Sequence, residues 1–108
     1  SVPYAELMRR VGRIAAWLHA DGVRAGDTVA LWAPNVPPVA AITLATLSLG
    51  AVAMPLSPLL TAAEAGPLLS AARAVVVVTI PPLVPAAVSL GVRRVIVLGE
   101  AEGHPGLK

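Results

Sequence analysis

Four short apolar runs, separated by stretches long enough for a helix, constrain this chain more than any other feature. They are Thr28 to Ala33 (TVALWA), Ala51 to Leu56 (AVAMPL), Ala74 to Thr79 (AVVVVT) and Arg94 to Leu98 (RVIVL). Each is bounded by Gly, Pro, Asn or Asp and rich in strand formers, which predicts strands. The third is apolar throughout, as expected of a strand covered on both faces of its sheet. Strands alternating with helical stretches imply a parallel sheet with right-handed crossovers. The predicted order is α-β-α-β-α-β-α-β, a three-layer α/β arrangement with a mainly parallel sheet.

The helical stretches carry their own signals. Leu7, Val11, Ile14, Ala15 and Leu18 recur at the spacing of one helix face over residues 4–20, with Arg9, Arg10 and Arg13 mostly off that face. Gly22 is the expected stop. Residues 37–48 are apolar nearly all round, so a buried helix is expected, with Asn35 as its N-cap, Pro37-Pro38 in its first turn and Gly50 closing it. Thr61 and Glu64 have capping-box spacing. Gly66-Pro67 then falls in the first turns of the third helix, which therefore either starts late or is kinked. A short helix near 82–90, stopped by Gly91, precedes the last strand. A loose tail or a truncated linker is expected over 99–108, leaving 1–98 as the folded unit.

Composition removes several classes of function. The chain has 108 residues and no Cys, so thiol catalysis, disulfide scaffolds and Cys-based metal sites are excluded. The apolar fraction is 56% and the charged fraction 13%, against ~45–50% and ~25% in ordinary soluble domains, so the chain is not intrinsically disordered. A net charge of +2, with three aromatic residues of the Trp and Tyr type and no Phe, provides neither the field nor the platforms of a nucleic-acid binder. The stretch from Thr28 to Ala63 has no charge or His, but its longest Pro-free piece, Val39 to Met54, is 16 residues, short of the ~20 that span a bilayer. No transmembrane span or signal peptide is expected, and a cytoplasmic location follows as the expectation.

Catalytic signatures are equally sparse. No strand-to-helix turn carries the Gly-rich dinucleotide fingerprint, and no phosphate-binding P-loop is present, because Lys108 is the only Lys. Glu6 and Glu64 fall in first helical turns, where negative charge suits the dipole, and Asp21 and Asp27 flank turns. His19 sits where a helix C-terminus favours it, and His104 lies in the tail. Arg9, Arg10 and Arg13 read as a solvated helix face, and Trp17 and Trp32 as core.

Six segments, taken in order, resemble adenylate-forming (AMP-binding) enzymes, the superfamily of acyl-CoA synthetases, luciferases and peptide-synthetase adenylation domains. Pro3-Tyr4-Ala5-Glu6-Leu7 resembles the opening motif. Gly22 to Leu31 is similar to the family's G-V-x-P-G-D-x-V-A-I segment, Pro34-Asn35-Val36-Pro37 to its P-N-S-P turn, and Leu47 to Pro58 to L-K-A-G-A-V-x-V-P-L-N-P. Thr61 to Glu64 and Arg73 to Thr79 continue the match, so residues 3–98 are covered. Pro3 departs from the family's Thr or Ser and costs Glu6 its capping partner. Pro38 stands where Glu is usual and Ser57 where Asn or Asp is usual. The chain is about two residues short between Leu69 and Arg73.

The resemblance implies the N-terminal scaffold fragment of an ATP-dependent carboxylate–CoA ligase. Such a ligase forms an acyl-adenylate with ATP and Mg2+ and then an acyl-CoA with CoA, from a fatty or aryl acid. The expected partner is the remainder of its own adenylation domain. The family's phosphate loop, adenine site, ribose-binding Asp and catalytic Lys match nothing in this chain, so no catalytic, cofactor-binding or metal residue is assigned and the fragment is expected to be inactive. The second helix and the valine strand are expected to leave an exposed apolar patch. The alternative is a stand-alone flavodoxin-like binding or interaction domain, with its ligand near Pro34-Asn35 and Ser57-Pro58. A membrane-associated segment over 36–60 is a third reading.

Overall fold

The computed structural model describes residues 3–98; the tail expected over 99–108, with His104, lies outside them. Eight regular elements and one 3₁₀ turn appear in the expected order. They are α1 (Tyr4–Ala20), β1 (Thr28–Trp32), α2 (Pro37–Ser48), β2 (Val52–Leu56), α3 (Ala62–Ala72), β3 (Ala74–Thr79), a 3₁₀ turn (Pro81–Leu83), α4 (Val84–Ser89) and β4 (Arg94–Val97). The four strands form one all-parallel sheet in the order β2-β1-β3-β4. The register of β1 on β3 slips once, between Thr28 and Val29.

The crossover from β1 to β2 runs one way along the sheet, and those from β2 to β3 and from β3 to β4 run the other way, so α2 lies on one face and α3 and α4 on the opposite one. Val11, Ile14 and Leu18 of α1 and Val39, Ile42 and Ala45 of α2 pack with Val29, Leu31, Val76 and Val78 on one face. Ala65 and Leu69 of α3 and Ala87 of α4 pack with Ala30, Trp32 and Val77 on the other. Alternate strand residues point to opposite faces, and β1 and β3 are the two central strands, so both are apolar apart from Thr28 and Thr79 at their ends.

Several local expectations need correction. Asn35 does not cap α2: the N-cap is Val36, in extended conformation and without a side-chain cap bond. The helix needs little capping, because Pro37 and Pro38 carry no N–H and Val36 O takes the amides of Val39 (2.9 Å) and Ala40 (3.2 Å). Nor is α2 buried all round. Leu44 and Leu47 are exposed, in one stripe with Val36 and Ala40 at helical spacing. The valine strand contributes no exposed patch, since Val76, Val77 and Val78 are covered by the chain's own helices.

The third helix starts on time. The Thr61 side chain accepts from Glu64 N at 3.2 Å, and Thr61 N donates to the Glu64 carboxylate at 2.8 Å. Pro67 sits inside the helix, where it removes one i→i−4 bond. The shortness between Leu69 and Arg73 appears as a one-residue joint. Arg73 takes the left-handed conformation (φ 54°) and passes straight from α3 into β3. A left-handed non-Gly residue costs about 1–2 kcal/mol, tolerated because no other residue is available to turn the chain. Gly22, Gly50 and Gly91 follow their helices at positive φ, as expected.

Pro3 heads α1 without a side-chain cap bond. Glu6 is nevertheless not left without a partner, as the missing cap suggested: it accepts from Arg9 at 2.8 Å and lies 3.5 Å from Arg10. The Arg9 hydrogen bond, with the charges of Arg9, Arg10 and Arg13, holds its carboxyl below the usual range.

Candidate functional site

In open α/β sheets, ligands collect at the carboxyl ends of the strands where the strand order reverses. Here that point lies between the adjacent ends of β1 and β3, at the register pair Trp32 and Thr79. Both residues are fully buried. Thr79 Oγ1 donates to the Trp32 carbonyl at 2.8 Å, and Leu98 N donates to the Thr79 carbonyl at 2.8 Å. The Trp32 indole N–H is enclosed without a hydrogen-bond partner. Trp32 packs on the sheet face covered by α3, in one cluster with Leu56, Ala65 and Leu69.

The loops at this edge offer little to a phosphate. Two prolines open α2 and two more, Pro81 and Pro82, open the 3₁₀ turn, so each start lacks the N–H groups that bind anions elsewhere. At the start of α3 the Glu64 carboxylate occupies the positive end of the dipole. After β2, Ser57 Oγ accepts from Leu59 N at 3.1 Å, which tightens the turn and leaves Leu59 89% exposed. The edge near Pro34-Asn35 and Ser57-Pro58 is thus stiff, apolar and short of free donors.

Charge gathers at the opposite edge. Arg24 Nη1 donates to His19 O (2.6 Å) and Val23 O (3.0 Å), and Arg93 Nη1 donates to Asp21 O (2.7 Å). Arg94 Nε lies 3.7 Å from the Asp21 carboxylate, with its guanidinium 5.0 Å from the centre of the Trp17 ring. Three arginines therefore ring the C-terminal end of α1, where the last carbonyls have no helical partners and positive charge is favoured. Sequence reasoning missed this clasp, because nothing local marks Arg93 as a partner of Asp21, 72 residues earlier. His19 is exposed in the last turn, as expected, and Trp17 is half-buried against the core. Among the described residues no three His, Asp or Glu side chains gather as a metal site, and no helix is long and apolar enough to cross a membrane.

Comparison with known proteins fits a scaffold of this kind. Feruloyl-CoA synthase of Amycolatopsis sp is 47% identical over 57 residues, 53% of this chain and 12% of its own length. 4-Coumarate–CoA ligase 4 of Arabidopsis thaliana is 38% identical over 76 residues, 70% of this chain and 13% of its own length. Apo MatB from Rhodopseudomonas palustris superposes with a TM-score of 0.85 at 32% identity, covering 98% of this chain and 22% of MatB. The chain thus spans a small part of each relative. A model of the AMP-binding enzyme family matches residues 1–105, and with the shared fold this places the chain in that family.

Proposed function

We propose that this chain is the N-terminal scaffold of an ATP-dependent carboxylate–CoA ligase. The observation that carries this reading is the likeness to MatB over 98% of the chain, which extends to the ATP-bound form of MatB at a TM-score of 0.83. In the whole enzyme a carboxylate would attack the α-phosphate of ATP, with Mg2+, to give an acyl-adenylate and pyrophosphate. CoA thiol would then displace AMP. The names of the feruloyl and 4-coumarate relatives favour an aryl acid, with a fatty acid as the second class. Residues 1–98 act as one α/β layer, 99–108 as the link to the remainder of the adenylation domain, and the cytoplasm is the proposed location.

The chain's own residues supply shape rather than chemistry. The proline-stiffened carboxyl edge and the Arg clasp on α1 fix the sheet against which a nucleotide-binding half can assemble. The test is replacement of the superposed segment of MatB by this chain. The chimera should catalyse ATP–pyrophosphate exchange with MatB's own carboxylate substrate, and the 108-residue chain by itself should not. Exchange by the isolated chain, or a folded chimera without exchange, would sink the proposal.

A further inference from the structure

We infer that the outer side of α1 and α2 docks on an anionic membrane surface, with the α1 arginines against lipid headgroups and the exposed α2 side chains at the acyl boundary. This goes beyond the ligase reading and does not depend on it. The two helices pack side by side on one face of the sheet. Among the described residues, nine large apolar side chains stand exposed, and five of them belong to this layer: Tyr4, Met8, Val36, Leu44 and Leu47. Leu44 and Leu47 lie on the side of α2 turned away from the buried Ile42 and Ala45. Tyr4 and Met8 lie on the flank of α1 opposite Trp17. Trp17 meets Arg94 of β4, so the Tyr4 flank is the one beside α2.

Charge selects the occupant. Arg9 and Arg13 lie on the side of α1 opposite the buried Leu18, pointing away from the sheet. Arg9, Arg10 and Arg13 face one acid in these two helices, Glu6, which pairs with Arg9 and Arg10; Arg13 has no ion pair among the described residues. Across the sheet, α3 carries Glu64 as its one charge and α4 carries none. The cations therefore stand on the same side as most of the exposed apolar surface, and the far side is weakly acidic. A second copy of this chain would meet like charge here. An anionic bilayer meets opposite charge, and it takes up uncharged apolar side chains at its boundary. No helix among the described residues is long and apolar enough to cross a membrane, so the association is peripheral.

Co-sedimentation of the 108-residue chain with vesicles tests this. Vesicles of equal parts phosphatidylglycerol and phosphatidylcholine should bind the chain, and added salt should weaken the binding. Pure phosphatidylcholine vesicles should bind it at least about ten-fold less. Arg9→Gln with Arg13→Gln should weaken binding to the anionic vesicles roughly ten- to thirty-fold, at about five-fold for each arginine. Leu44→Gln with Leu47→Gln, at exposed positions that leave the fold intact, should weaken it at least about five-fold. Leu68→Gln with Val88→Gln, on the other face, should leave it unchanged. No binding by the folded chain, equal binding to neutral vesicles, or loss only in the Leu68 and Val88 variant overturns the inference. Retention on immobilised polyglutamate without vesicle binding overturns it in favour of an acidic protein partner. The MatB chimera separates it from the ligase reading: vesicle binding without ATP–pyrophosphate exchange keeps the docking face and sinks the ligase, and exchange without vesicle binding does the reverse.

Discussion

The Arg94 guanidinium lies 5.0 Å from the centre of the Trp17 ring, with its Nε 3.7 Å from the Asp21 carboxylate. The first residue of the last strand is thereby clasped to the end of the first helix. A half-exposed cation over Trp contributes about 0.5–1 kcal/mol, and a surface ion pair about 0–1 kcal/mol. Arg94→Ala should therefore cost about 1 kcal/mol in urea unfolding and change Trp17 emission. Arg94→Lys should recover only part of the loss, because an ammonium does not stack as a planar guanidinium does. Wild-type stability in the alanine variant would remove the clasp from the account.

A second prediction concerns the join between β1 and β3. The Thr79 hydroxyl is fully buried and bonded to the Trp32 carbonyl. Thr79→Val keeps the shape and deletes the bond, so it should lower stability by about 1–2 kcal/mol. Thr79→Ser, which keeps the donor but loses a methyl, should cost a comparable amount through the small cavity it leaves. If valine is as stable as threonine, the hydroxyl is not a structural bond.

Two glycines should respond with opposite signs. Gly12 lies mid-helix with open space where a Cβ would stand, so Gly12→Ala should stabilise by about 1 kcal/mol. Gly22 has φ +102°, and an added Cβ would lie 3.1 Å from Arg93 Nη1. Gly22→Ala should destabilise by about 1–2 kcal/mol or more. Thermal melts of the two variants check both signs at once, and a stabilised Gly22→Ala would contradict the left-handed turn.

Glu6 gives the pH dependence. Its folded carboxyl titrates below its unfolded range, first through the Arg9 hydrogen bond and then through the nearby arginine charges. A group lowered on folding contributes stability above its unfolded pKa, lost as pH falls through the folded value. The Glu6→Gln difference in melting temperature should therefore be small but present at neutral pH, vanish in acid and shrink with salt, because these side chains are largely exposed. A difference that grows as pH falls would reverse the assignment.

The fold was legible in the sequence because burial and chain punctuation point the same way. The run 74–79 is apolar because it lies between two helical layers, and Gly22, Gly50 and Gly91 stop helices by taking positive φ. What was not legible depends on partners distant in sequence or on backbone detail. Asn35 looks like a cap, yet the α2 amides are satisfied by Val36 O. An apolar run does not tell which face of a helix finds cover: α2 reads both as a buried helix and as a source of exposed apolar surface, and Leu44 and Leu47 are the part that stays outside. The one-residue turn at Arg73 could be seen only as a length deficit. For the site, the missing motifs led to no residue being assigned, and the arginine clasp needed the tertiary structure.

The clasp also has a consequence for synthesis. Asp21 leaves the ribosome 72 residues ahead of Arg93. At about 5–20 residues per second, that is a wait of roughly 4–14 s. During it, α1 can form its turns and meet α2, but its C-terminal carbonyls lack the guanidinium from the last strand. The first helix of the nascent chain is therefore among the last to be locked. A pause in translation before Arg93 would hold the protein in a state whose sheet is incomplete and whose oldest element is still unfastened.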